Sequence, residues 1–152
     1  VFRFIIQVVT VNGGSMEPTL EGGDRLIISN LFYTPAAGDI VVLSDETGLD
    51  EALIKRIIAL PGQTVDINEN GEVLVDGKVL SEPYIAERID ESHRGDMTYP
   101  LTVPEDSVFV MGDNRNHSTD SRDSQVGLVD EGEILGRVIF RLLPLSKIGP
   151  VD

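Results

Sequence analysis

Residues 65–80 hold three short runs of β-forming residues (65–68, 72–75 and 78–80), separated by Glu69-Asn70-Gly71 and Asp76-Gly77. Asn-Gly and Asp-Gly supply the positive φ angles that tight hairpin turns demand, so the spacing predicts an antiparallel meander. The same grammar governs the rest of the chain. Runs at 25–29 (RLIIS), 40–43 (IVVL), 53–60 (LIKRIIAL), 108–111 (VFVM) and 134–143 (ILGRVIFRLL) are bounded by Gly, Asp or Pro, as strands are. Gly136 inside the last run predicts a bulge or a close approach. No long 3.6-residue period occurs, and 130–133 has room for one helical turn at most. Residues 81–100 are polar and unpatterned and read as a long exposed loop. The expectation is a single domain over 1–152 with an all-β or β-rich fold, made of several bent antiparallel sheets and little helix.

The most apolar window is 1–11 (VFRFIIQVVTV). A bilayer needs about 20 apolar residues, so this window does not span one. It reads as a buried strand, and is equally compatible with the stub left after an upstream membrane helix. Net charge is −14, from 12 Lys+Arg against 26 Asp+Glu. Phosphates would be repelled, which excludes nucleic acid as the main partner. An anionic lipid surface would be repelled too, so membrane contact would have to be apolar. There is no cysteine, which excludes thiolate chemistry and disulfides. Two histidines, His93 and His117, are too few for a histidine-built metal site, and no metal or cofactor is expected.

Three places hold residues with chemical capacity. Gly13-Gly14-Ser15 can form a tight turn that presents a hydroxyl beside its own backbone N–H, the pair needed for a nucleophile and an oxyanion donor. An ordinary Gly-Ser turn before a proline reads the same way. Lys55 shares a strand face with Leu53 and Ile57, while Arg56 faces away. On an apolar face the amine is desolvated; lowering its pKa from 10.4 to about 8 costs roughly 3 kcal/mol and yields a usable base. A lysine that buries its stem and sends its head to water fits as well. Finally, 112–122 (GDNRNHSTDSR) is too dense in charge and amide for a solvated loop and suggests a buried polar network. Within it, Asp120 with Arg122, or Asp113 with Arg115, could pair. A calcium loop fits poorly, because Arg115 interrupts the alternation of oxygen ligands. A Ser-His-Asp arrangement through His117 has nothing in the sequence to position the ring.

Together these pieces resemble the type I signal peptidases, membrane-bound proteases with a serine/lysine dyad. SMEPTL at 15–20 is similar to the family's nucleophile segment, GDIVVL at 38–43 to its next strand, KRIIALPG at 55–62 to the segment carrying the base, and GDNRNHSTDSR to its last segment. The resemblance implies that Ser15 is the acylating nucleophile, with its backbone N–H helping to hold the oxyanion. It implies that Lys55 is the general base and that Ser118 orients it. Asp113, Arg115, Asp120 and Arg122 would be structural supports, and Met16, Leu53 and Ile54 would line shallow pockets for small side chains. Substrates would be signal peptides of exported preproteins, cut after Ala-X-Ala. The enzyme would be anchored by an upstream helix, rest an apolar β surface on lipid and work on the extracytoplasmic face.

Two positions depart from the family pattern. Gly13 stands where a hydroxyl residue often adds an oxyanion donor, and His117 where Asn is common. A self-cleaving Ser/Lys peptidase of the LexA type would need a scissile bond near Ala37, and a catalytically silent peptide-binding module would not need Ser15, Lys55 and Ser118 intact.

Overall fold

Strands set between glycines and prolines stay short, and the sheet grows by adding strands rather than lengthening them. The computed structural model describes residues 6–44 and 53–151; the first five residues of the apolar opening window lie outside this range, and Ile6–Thr10 form a strand that is mostly exposed, not the buried one expected. The strands are β1 (Ile6–Thr10), β2 (Arg25–Ser29), β3 (Ile40–Leu43), β4 (Leu53–Ala59), β5 (Thr64–Ile67), β6 (Val73–Val75), β7 (Lys78–Val79), β8 (Leu101–Thr102), β9 (Ser107–Met111), β10 (Val129–Asp130), β11 (Ile134–Leu143) and β12 (Gly149–Pro150). Helix among the described residues is limited to 3₁₀ turns at Glu91–His93, Glu131–Glu133 and Leu145–Lys147.

The larger sheet runs β1-β2-β11-β3-β4-β9-β10, with β12 on β11; the smaller runs β7-β6-β5-β8. All pairings are antiparallel. The meander forms as the turn residues require: between β6 and β7, Asp76 and Gly77 have φ of 51° and 80°, both positive as a two-residue hairpin demands. The register shifts between Ile134 and Gly136, and twice more along β11 against β2. Such irregularities bend a strand, which lets β11 pair with both β2 and β3.

β4 stands where three apolar clusters meet. Ile54 joins Met16, Leu20, Leu26 and Ile28; Ile57 joins Val41, Val108 and Val110; Ile58 and Ala59 join Val65, Val73, Phe109 and Met111 beneath the smaller sheet. Each fully buried aliphatic side chain contributes about 1.5–3 kcal/mol. The strand that carries Lys55 is therefore packed on several sides before any polar contact is counted.

The segment 81–100 departs from the exposed loop expected of it. It lacks strand, but Ile89 is buried within the cluster under the smaller sheet. Tyr84 lies beneath the Arg56 guanidinium, 3.8 Å from its ring centre. An apolar anchor and a cation–π contact tie down a backbone that its polar composition alone would leave free. Ile89→Ala is expected to lower the unfolding free energy by about 2–5 kcal/mol, measured by urea denaturation. A residue in a solvated loop would change it by less than about 0.5 kcal/mol.

Candidate active site

Two chain segments meet at Ser118, the residue that holds the amine of Lys55. The first is the turn around Ser15. Gly13 takes φ of 76°, and the turn closes on itself through Glu17 N–H to the Gly14 carbonyl (3.1 Å) and Leu20 N–H to the Met16 carbonyl (3.0 Å). Met16 and Leu20 anchor it in the first cluster, leaving Ser15 half-buried at the surface of that core.

The second segment is 112–122, which leaves the end of β9. It is fastened to the first at several points. Asn114 donates its backbone N–H to the Ser15 carbonyl (2.9 Å) and its side-chain Nδ2 to the Gly14 carbonyl (2.9 Å). Thr19 Oγ1 donates to Asp113 Oδ2 (2.6 Å), and Asp113 N–H points at the Met16 sulfur (3.4 Å). Gly112 makes this closeness sterically feasible. A β-carbon there would land on both Ser118 Oγ and the Ser15 carbonyl oxygen, so only glycine lets the two walls meet.

Lys55 enters from β4, 3% exposed. Its Nζ donates to Ser118 Oγ (2.9 Å), and Ser118 Oγ donates to Asp120 Oδ2 (3.0 Å). Asp120 also accepts from Gly112 N–H, Arg122 N–H and both Arg122 Nε and Nη2 (2.9–3.1 Å). Burial pushes the Lys55 amine below its ordinary pKa, the Asp120 carboxylate pulls it back and the Arg122 guanidinium pushes it down again; the net direction is downward. For Asp120, burial opposes ionisation, but the hydrogen bonds and charge of Arg122 and the backbone N–H donors outweigh it and hold the carboxyl low. The lysine thus faces an ionised pair whose charges largely cancel, so burial decides its state.

The charged residues of 112–122 are all buried, and their partners differ in part from those expected. Asp120 pairs with Arg122 (2.9 Å). Asp113 does not pair with Arg115. It accepts both Nε and Nη2 of Arg56 (2.9 and 2.8 Å), whose Nη1 reaches the Gly38 carbonyl (3.0 Å). Arg115 instead pairs with Glu82 and donates Nε to the Gly112 carbonyl (2.9 Å). The reason is alternation on β4: Lys55 serves one side of the sheet, and Arg56 reaches Asp113 from the other. Asn114, Arg56, Thr19 and Glu82 were not singled out from the sequence. Only the Lys-Arg doublet inside an apolar strand hinted at Arg56.

Of the three residues expected to line pockets, Leu53 is exposed, whereas Met16 and Ile54 lie in the first cluster. β3 pairs along the whole of Leu53–Arg56, but the β9 ladder begins only at Arg56. Among the described residues, the opposite main-chain edge of 53–55 is thus left open beside Ser118. His117 lies 6.4 Å from His93, ring centre to ring centre, and His93 is bonded to Asp90. No three of His, Asp or Glu among the described residues are placed to hold a metal ion.

A family model described as signal peptidase, peptidase S26, matches residues 1–143. The probable signal peptidase I-1 of Synechocystis sp. is 42% identical over 156 residues, covering 96% of this chain and 76% of that protein. Signal peptidase I P of Bacillus subtilis subsp. natto is 37% identical over 153 residues, covering 95% and 81%. The crystal structure of a signal peptidase I from Enterococcus faecalis V583 superimposes with a TM-score of 0.56 at 32% identity, over 69% of this chain and 97% of that one.

Burying Lys55 has a pH-dependent consequence. Its folded pKa is depressed, so the unfolded chain binds more protons and stability rises with pH up to the ordinary lysine range near 10.4. Lys55→Met removes that linkage. The variant is expected to melt higher than the parent at neutral pH, with the gain shrinking as pH climbs, read from melting curves of both proteins across pH.

Proposed function

Because the chain belongs to the signal peptidase family, peptidase S26, and is a signal peptidase I that removes signal peptides from preproteins, we propose that Ser15 and Lys55 perform the cleavage as nucleophile and general base. The observation that carries this reading is the Lys55 amine. It is buried, pushed toward its neutral form, and held by Ser118 beside the turn that bears Ser15.

Ser118 donates its hydroxyl hydrogen bond to Asp120, so its oxygen meets Lys55 as an acceptor. One N–H of the neutral amine is thereby used, and its lone pair is left for the Ser15 hydroxyl. Ser15 Oγ attacks the scissile carbonyl carbon as Lys55 Nζ takes its proton, and the oxyanion that forms accepts from the Ser15 backbone N–H. When the tetrahedral species collapses, the Lys55 ammonium protonates the departing amine. Water, deprotonated by the same lysine, then hydrolyses the acyl-enzyme. Asp120 and Arg122 hold Ser118, and Asp113 and Arg115 hold the segment. An extended substrate would add as a strand to the open edge at 53–55, with Leu53 and its neighbours favouring the small residues of Ala-X-Ala.

The substrate's own anchor places it at a membrane, and the outer face of the larger sheet suits the same setting. Ile6 and Val8 on β1, with Phe32 beyond β2, are exposed at 69%, 53% and 89%. Ile6 and Val8 share one face of β1, Ile6 pairs with Ser29, three residues before Phe32, and exposed apolar residues gathered in this way mark a contact surface. We read this face as resting on lipid on the extracytoplasmic side, where a net charge of −14 adds no attraction to anionic headgroups. No helix of the described residues is long and apolar enough to cross a membrane.

Incubation with an Ala-X-Ala peptide, with mass spectrometry of the products, is expected to show one cut after the second Ala. Ser15→Ala and Lys55→Ala should abolish it while melting behaviour stays native-like. Lys55→Arg should fail as well, since a guanidinium does not give up its proton at working pH. Activity should rise with pH through a limb below the ordinary lysine pKa. Near-normal cleavage by Lys55→Ala would sink the dyad. Phe32→Ser combined with Ile6→Ser is expected to reduce co-flotation with neutral phosphatidylcholine vesicles without changing cleavage of the soluble peptide.

A further inference from the structure

We propose that Asn114 is a positioning residue for the oxyanion site: its side-chain amide, by holding the Gly14 carbonyl, sets the direction of the Ser15 N–H. This rests on the reading of Ser15 as nucleophile and its N–H as oxyanion donor. The Gly14 C=O and the Ser15 N–H belong to one planar trans peptide unit and point in opposite directions. Whatever fixes the carbonyl fixes the N–H. Asn114 Nδ2 donates to that carbonyl at 2.9 Å, and Asn114 N–H donates to the next carbonyl, that of Ser15, at 2.9 Å. One residue therefore grips the peptide units on both sides of the serine.

The Gly14 carbonyl also accepts from Glu17 N–H at 3.1 Å. That bond lies inside the turn and stiffens it without saying where it stands. Asn114 belongs to the opposite wall, four residues before Ser118, which holds Lys55. Its two bonds thus set the turn against the base. The arrangement matters more here because Gly13 brings no side-chain hydroxyl to the oxyanion. Its φ of 76° also leaves the chain just before this peptide unit in a conformation open to glycine but strained for other residues. With no second donor at that place, the Ser15 N–H bears more of the developing charge, and its aim is left to Asn114.

The two bonds separate experimentally, because substitution removes the side-chain bond and keeps the backbone one. Asn114→Ala is expected to lower kcat by about 10- to 100-fold with KM within about twofold, the signature of an interaction that counts in the transition state. Asn114→Asp, equal in size but presenting oxygen to oxygen, should fall further, and it carries the test should Asn114→Ala not fold. The pH limb assigned to Lys55 should not move in Asn114→Ala; Asn114→Asp, which adds a charge near the amine, is judged on its kcat and KM at the pH plateau. A peptide aldehyde of the substrate sequence, whose adduct with serine carries the oxyanion, should lose affinity in parallel with kcat. Three results would overturn the proposal: kcat within twofold of the parent in a folded variant, a loss confined to KM, or a pH limb displaced in Asn114→Ala, which would place the effect on Lys55. Ser15→Ala run alongside keeps the two levels apart. If Ser15→Ala still cleaves, the parent reading falls; if it is inactive while the Asn114 variants run at full rate, only this inference does.

Discussion

The bond between Asp120 and Arg122 makes the rest of the site permissible. An amine can sit in a water-poor place only if the charges around it are already spoken for; otherwise a free carboxylate would draw a proton onto it and keep it cationic. Here the carboxylate nearest the lysine relay is saturated by a guanidinium and by backbone N–H groups. Its residual pull reaches Lys55 through one hydroxyl, Ser118. A chain of donors running in one direction, from amine to hydroxyl to carboxylate, leaves a lone pair where a nucleophile needs it.

A second buried pair, Arg56 with Asp113, does a different task. It stands on the other side of β4 and holds the start of the polar segment, while Thr19 ties the same carboxylate to the Ser15 turn. Breaking a buried pair by removing one partner typically costs about 3–5 kcal/mol, because the survivor is left charged and dry. These pairs are therefore better understood as clamps on geometry than as net sources of stability. Tyr84 and Glu82 extend the clamp outward, so that a segment without strand structure becomes a brace for Arg56 and Arg115.

Much of this was readable in the order of residues, and for definite reasons. The meander followed from Asn-Gly and Asp-Gly, whose backbone preferences are local. The placement of Lys55 and Arg56 on opposite faces followed from strand alternation alone. The two-residue strands at Leu101–Thr102, Val129–Asp130 and Gly149–Pro150 were not readable, because a bridge so short is created by its partner and not by its own propensity. The ion partners of Asp113 and Arg115 were misread for a similar reason: neighbours in sequence looked like partners, while the actual ones lie 57 and 33 positions away. Asn114 escaped notice because both its bonds go to carbonyls of another segment, which no side-chain pattern records. The anchoring of 81–100 had a faint signal in Tyr84 and Ile89, two of the scattered apolar side chains in a mostly polar run.

The proposed base and the proposed nucleophile are mounted unequally. Lys55 rides on a strand hydrogen-bonded to β3 and flanked by three apolar clusters, whereas Ser15 rides on a turn attached at a handful of points. Warming loosens the less anchored part first. Loss of catalytic output on heating would then precede the cooperative melting of the β scaffold, and by an interval that measures how firmly one small turn is moored.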